Sequence, residues 1–145
     1  PFHEIGFYPP KGSPRHPGLA RTVHFLDDGK SIMTGFLDSK DLYSWTLLPW
    51  RENWHAKLST RIGNTAWSAA TRLLLVWNLV DGIDVYHIVE RPVLVRKLRV
   101  NISRMYVCQV DFGCQGLLAT SGTDKGKVCI WNMNSAEQST VLTHG

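Results

Sequence analysis

Residues 73–89 read Leu-Leu-Leu-Val-Trp-Asn-Leu-Val-Asp-Gly-Ile-Asp-Val-Tyr-His-Ile-Val, a run almost apolar enough to enter a bilayer. A spanning helix needs about 20 consecutive, mainly apolar residues, and Asn78, Asp81, Gly82, Asp84 and His87 interrupt this one. A buried helix fares little better, because Asp81 and Gly82 sit at its centre and the flanks are rich in Val, Ile, Trp and Tyr, which favour the pleated surface of a strand. Asp-Gly between two apolar runs is a strong hairpin signal, since a type I′ turn needs positive φ at both central residues. The stretch therefore predicts two strands. A two-residue loop at Asp81 and Gly82 pairs Val80 with Ile83, Asn78 with Val85 and Trp77 with Tyr86, which places two rings on one face. Both faces of this hairpin are largely apolar, so it must lie between other sheets.

Strand signals recur on either side. Residues 19–25, 31–36 and 42–45 are apolar stretches separated by the turn residues Asp27, Asp28 and Gly29 and by the turn 38–41. Residues 65–68, 73–80 and 83–88 repeat that order, and so do 106–112, 117–121 and 127–131. The aromatic near the end of each third strand is Trp45, Tyr86 or Trp131, at spacings of 41 and 45 residues. An aspartate occupies the turn before each of those strands, at Asp38, Asp81 and Asp124. Fourth strands fit residues 54–58, 93–100 and 140–142, the middle one carrying charges suited to an exposed edge. Four-stranded units at this period are the signature of propeller blades. The expected fold is all-β, a partial β-propeller of three four-stranded antiparallel blades over residues 19–60, 61–102 and 103–145. A lead-in rich in Pro and Gly, residues 1–18, precedes them.

The third unit resembles the WD-repeat family. Its strand from Val107 to Phe112 is followed by Gly116-Leu-Leu-Ala-Thr-Ser-Gly122, by Asp124, and by Lys127-Val-Cys-Ile-Trp131-Asn132. The resemblance implies a structural network of the strand tryptophan, a Ser or Thr, the turn aspartate and a preceding histidine. Trp131, Thr120 or Ser121, and Asp124 match three of these positions, whereas no histidine stands near Ile102 and Ser103. Trp45 is followed by Thr46, Tyr86 by His87 and Trp131 by Asn132, so the aspartate of the family's Trp-Asp pair is absent from every unit. His144 falls where a further blade's histidine would begin. Propellers close with about 4 to 8 blades, so three blades are expected to need further blades or a second chain. The first residue is Pro1, with no initiator Met, which suggests an excerpt or a processed product.

Chemistry-bearing patterns are sparse. The 145 residues carry a formal net charge of +4 and include three cysteines, Cys108, Cys114 and Cys129, with no paired metal-ligand spacing. The six histidines are scattered, and no H-E-x-x-H, G-x-S-x-G or Walker pattern occurs. No catalytic, cofactor-binding or metal-binding residues are therefore assigned, and His24, within a strand, is expected to be packed. Arg91, Arg96, Lys97, Arg99 and Arg104 lie in a stretch with no acid, which suits a solvated outer strand better than a phosphate track. Trp50, Trp54 and Trp67 could line a binding rim, but core packing is the better expectation for rings of this size. No stretch resembles a signal peptide, and an intracellular protein, cytoplasmic or nuclear, is expected. The resemblance implies a non-catalytic scaffold for protein partners, with a nucleic-acid module built on the basic stretch as the alternative.

Overall fold

The computed structural model describes residues 16–135 and 137–143; most of the expected lead-in, and His144, lie outside these. The first sheet comprises β1 (Ala20–Leu26), β2 (Ser31–Phe36), β3 (Asp41–Thr46) and β4 (Arg51–Lys57). The second comprises β5 (Asn64–Ser68), β6 (Leu73–Trp77), β7 (Gly82–Ile88) and β8 (Pro92–Arg99), and the third β9 (Val110–Gly113), β10 (Leu118–Gly122), β11 (Lys127–Asn132) and β12 (Gln138–Thr143). In every sheet the strands lie in chain order and pair antiparallel. These are the three blades expected from the repeat. No helix among the described residues is long and apolar enough to cross a membrane.

The hairpin that decided the fold is present, but its loop is longer than expected. Trp77 pairs with Ile83, Leu75 with Val85 and Leu74 with Tyr86, a three-residue shift from the pairing of a two-residue Asp-Gly turn. The cause is Asn78. Its Oδ1 accepts the backbone N–H groups of Val80, Asp81 and Gly82 at 2.8, 2.9 and 3.2 Å, closing the loop from within as short polar side chains do in turns. Leu79 takes the left-handed conformation at φ 65°. Because the shift is odd, it moves Trp77 and Tyr86 to opposite faces, and the expected pairing of their rings does not form.

Leu74, Leu75 and Val76 are consecutive and all fully buried. Successive strand side chains point to opposite faces, so the second blade is covered on both. Towards the first blade, Leu74, Val76, Tyr86 and Ile88 pack with Leu26, Met33, Leu42, Leu58 and Ile62. Towards the third, Leu75, Trp77, Ile83 and Val85 pack with Val110, Ala119, Cys129 and Trp131. Burying each such side chain stabilises the fold by roughly 1.5–3 kcal/mol before conformational entropy is set against it.

The registers reveal one cross-strand row repeated in every blade. It runs Phe25–Ile32–Trp45 in the first, Trp67–Leu74–Tyr86 in the second and Phe112–Ala119–Trp131 in the third. In the second and third blades the row presses against the preceding blade. In the first, no sheet covers it among the described residues: Phe25 is 68% exposed, and Ile32 and Trp45 are half-buried.

Gly82 closes the hairpin at φ +130°, and a Cβ there would stand 2.3 Å from Leu98 O and 2.7 Å from Val100 N. Both obstacles are backbone and cannot rotate away. Gly82→Ala is expected to cost roughly 3 kcal/mol, measured as a shift in urea midpoint; an unchanged midpoint would contradict the geometry at this turn.

Candidate functional site

An antiparallel meander sends its second connection and its exit to the same end. The turns between β2 and β3, β6 and β7, and β10 and β11 therefore share one end of the blade stack with the crossovers from β4 to β5 and from β8 to β9. Two backbone bonds seal this arrangement, Leu58 N–H to Lys40 O at 2.8 Å and Val100 N–H to Asp81 O at 2.9 Å. Loops gathered on a rigid support are where recognition residues concentrate.

At the second blade these loops are tied by a network around Asp84, which is fully buried. Thr60 of the preceding crossover donates its hydroxyl to Asp84 Oδ2 at 2.7 Å, and Asn78 Nδ2 donates to Asp84 Oδ1 at 2.9 Å and to Asp81 Oδ1 at 2.7 Å. Lys97 on β8 completes it, with Nζ 3.1 Å from Asp84 and 3.6 Å from Asp81. Its hydrogen bond to Asp84 raises the Lys97 pKa despite partial desolvation. Burial pushes the Asp81 carboxyl up, but the Asn78 amide and the Lys97 and Arg99 cations outweigh it and hold it below the usual range. A buried carboxylate with a cation and two further donors is satisfied, whereas removing a partner would leave a costly unpaired charge.

The first blade carries a second cluster. Asp41 accepts from His55 Nε2 at 2.8 Å and His16 Nε2 at 2.9 Å, and Gly18 N–H donates to His16 Nδ1 at 2.9 Å, which fixes the His16 proton on Nε2. Tyr43 stacks on His55 with centroids 4.3 Å apart and on Trp45 at 5.0 Å. Burial works to raise the Asp41 pKa, but the hydrogen bonds from His55, His16 and Ser39, with the His55 charge, bring it down to about 2.

Of the expected structural positions, Tyr86 and Trp131 are buried between blades, while Trp45 is half-buried beside Trp50, 5.5 Å away. Each follows a register shift against its fourth strand. Asp38 is exposed and pairs weakly with Arg61 at 3.5 Å; Asp81 lies in the second-blade network. Asp124 accepts the backbone N–H groups of Ser103 and Arg104 at 2.6 and 2.7 Å, so crossover amides meet the turn aspartate where the family resemblance expects a histidine. Ser121 donates to the Gly122 carbonyl. The structure does not bring Asp38, Asp81 and Asp124 into one site.

Sequence reasoning placed Trp77 beside Tyr86 and did not foresee its place in the core, fully buried with Nε1–H donating to Tyr106 O at 2.9 Å. It also missed Asn78 and Asp84; a polar pair inside so apolar a stretch was the available signal. In the basic stretch, Arg96 donates to Met133 O, Lys97 meets Asp84 and Asp81, and Arg99 meets Asp81. Trp54 and Trp67 pack against the core between the first two blades. His24 Nε2 bonds to Thr65 Oγ1 at 2.6 Å, and burial lowers its pKa.

No family model matches the chain, nor does any curated protein. Its fold is similar to the crystal structure of Saccharomyces cerevisiae Sqt1, a WD-repeat protein, with a TM-score of 0.71 over 87% of this chain at 11% identity. The match covers 36% of that longer chain.

A carboxyl near 2 in the fold and about 3.9 in the unfolded chain contributes stability that is present above about pH 4 and lost as pH falls towards 2. The stability advantage of the parent chain over Asp41→Asn should therefore shrink between about pH 5 and pH 2.5, read from urea midpoints. A constant difference would contradict the role given to the two histidines.

Proposed function

We propose that the chain is a non-catalytic platform for protein partners, a WD-repeat-like scaffold that presents its loop end for recognition. The observation that carries this reading is the immobilisation of those loops: Asn78, Asp81, Asp84, Lys97 and Thr60 bind one another across two strands, a turn and a crossover. Pre-set loops bind without the entropy cost of ordering them. The ionisable groups described above are used to hold the fold. A nucleic-acid role for the stretch from Arg91 to Arg104 is less well supported, because four of its five cations are bonded within the protein.

The row of the first blade, which has no sheet against it among the described residues, extends the proposal. Its equivalents in the second and third blades are covered by a neighbouring sheet, so Phe25, Ile32 and Trp45 form a seat for one more blade face, supplied by a further blade or a second chain. Thr34 lies on the same face, opposite Val23 and Tyr43, and its buried hydroxyl has no partner among the described residues.

Partners captured on the immobilised chain should survive nuclease treatment, and their cross-links should map to the turns at 37–40, 78–81 and 123–126. Loss of all capture on nuclease digestion would overturn the reading. The seat makes a separate prediction for the chain by itself: its mass in sedimentation equilibrium rises with concentration, and Phe25→Glu suppresses that rise without changing the circular dichroism spectrum. A parent chain that is a compact monomer throughout would contradict the seat.

A further inference from the structure

Between the second and third blades, at the loop end, lies a cleft of about 270 Å³ lined by Arg99, Asn101, Thr123, Lys125 and Lys127 over an apolar floor that includes Val100 and Val141. Its three cations come from three separate elements: the end of β8, the turn before β11, and the start of β11. No acid lines it. Two carboxylates lie beside it. Asp124 Oδ2 accepts the amides of Ser103 and Arg104, while its Oδ1 has no hydrogen-bond partner among the described residues. Desolvation works to raise this carboxyl's pKa, but those amides and the Lys125 charge hold it below the usual range. Asp81 Oδ2 takes one Arg99 nitrogen at 2.8 Å. That bond steadies the guanidinium and leaves its other donors available. Lys125 and Lys127 have no ion-pair partner within 4.0 Å among the described residues.

We propose that this cleft binds an acidic peptide segment of a partner protein, carboxylate side chains meeting Arg99, Lys125 and Lys127 while an aliphatic side chain rests on Val100 and Val141. The inference rests on the platform reading and gives it a partner chemistry. Charge complementarity argues for an acidic occupant. The size and lining argue for a peptide over a nucleic acid. The cleft has room for a few side chains, and no aromatic ring lines it for a base to stack on. Asn101 and Thr123 add polar groups of the kind that fix a backbone's orientation in such sites.

The test is fluorescence anisotropy with a fluorescein-labelled Glu-Glu-Leu-Glu-Glu peptide and, in parallel, a labelled oligothymidylate of equal charge. The double variant K125E/K127E is compared with K30E/R51E, which changes net charge equally at exposed positions on the first blade. K125Q/K127Q serves as a milder substitution should charge reversal disturb folding, and urea midpoints verify each variant. The expected result is a loss of peptide affinity of about tenfold or more for the cleft variants, with the control pair close to the parent chain. Equal losses in both pairs would show attraction to the general basic surface and overturn the proposal. So would failure of the peptide to bind, or tighter binding of the oligothymidylate that depends on the same two lysines. None of these outcomes bears on whether captured partners survive nuclease, so the cleft and the platform fail separately.

Discussion

Burial of the β6–β7 hairpin on both faces is the constraint on which the rest depends. A strand with Leu74, Leu75 and Val76 in succession has no face to offer water. It is stable only with a sheet on each side, so the second blade's composition dictates a first and a third. The same row of an aromatic, an aliphatic residue or Ala, and an aromatic then sets how each blade meets the one before it. Architecture here follows from pairing periodicity and from the apolar area that must be removed from water.

Polar chemistry serves this packing and also links it to function. Asp84 sits at the junction of two blades, where an unpaired carboxylate would be costly, and Lys97, Asn78 and Thr60 satisfy it. These partners belong to the second blade's outer strand, its central turn and the preceding crossover. One buried charge therefore fixes three segments together, and the segments it fixes form the end of the stack proposed for recognition. At the third blade the half-buried Asp124 ties the crossover to its turn through one oxygen, which accepts the backbone amides of Ser103 and Arg104. The first blade differs: Asp41 draws on His16 and His55, and its outer row has no sheet against it among the described residues.

The blade count and most strands were legible in the sequence, because short apolar runs bounded by turn residues are local signals, although the strand expected over 106–112 begins only at Val110. The register of the central hairpin was not. Asp81-Gly82 carries the dipeptide of a tight turn, but Asn78 outcompetes it by accepting three loop N–H groups at once, an arrangement that depends on side-chain geometry as well as residue type. The basic stretch was legible as an outer strand, but its pairing with Asp81 and Asp84 was not, since those partners lie on the neighbouring strand and turn. Likewise the cleft joins Arg99 to Lys125 and Lys127 across two blades, a proximity that only the fold creates.

Hydrogen exchange resolved by segment tests the doubly covered hairpin most directly, because protection follows the stability of the structure that must open. Amides of β6 and β7 are expected to exchange slowest among the described residues, with β1 and β12 faster because each lies in a blade that, among the described residues, has a neighbouring sheet on one face only. Uniform protection across the three sheets, or a hairpin that exchanges as fast as β1, would contradict the claim that the second blade organises the fold.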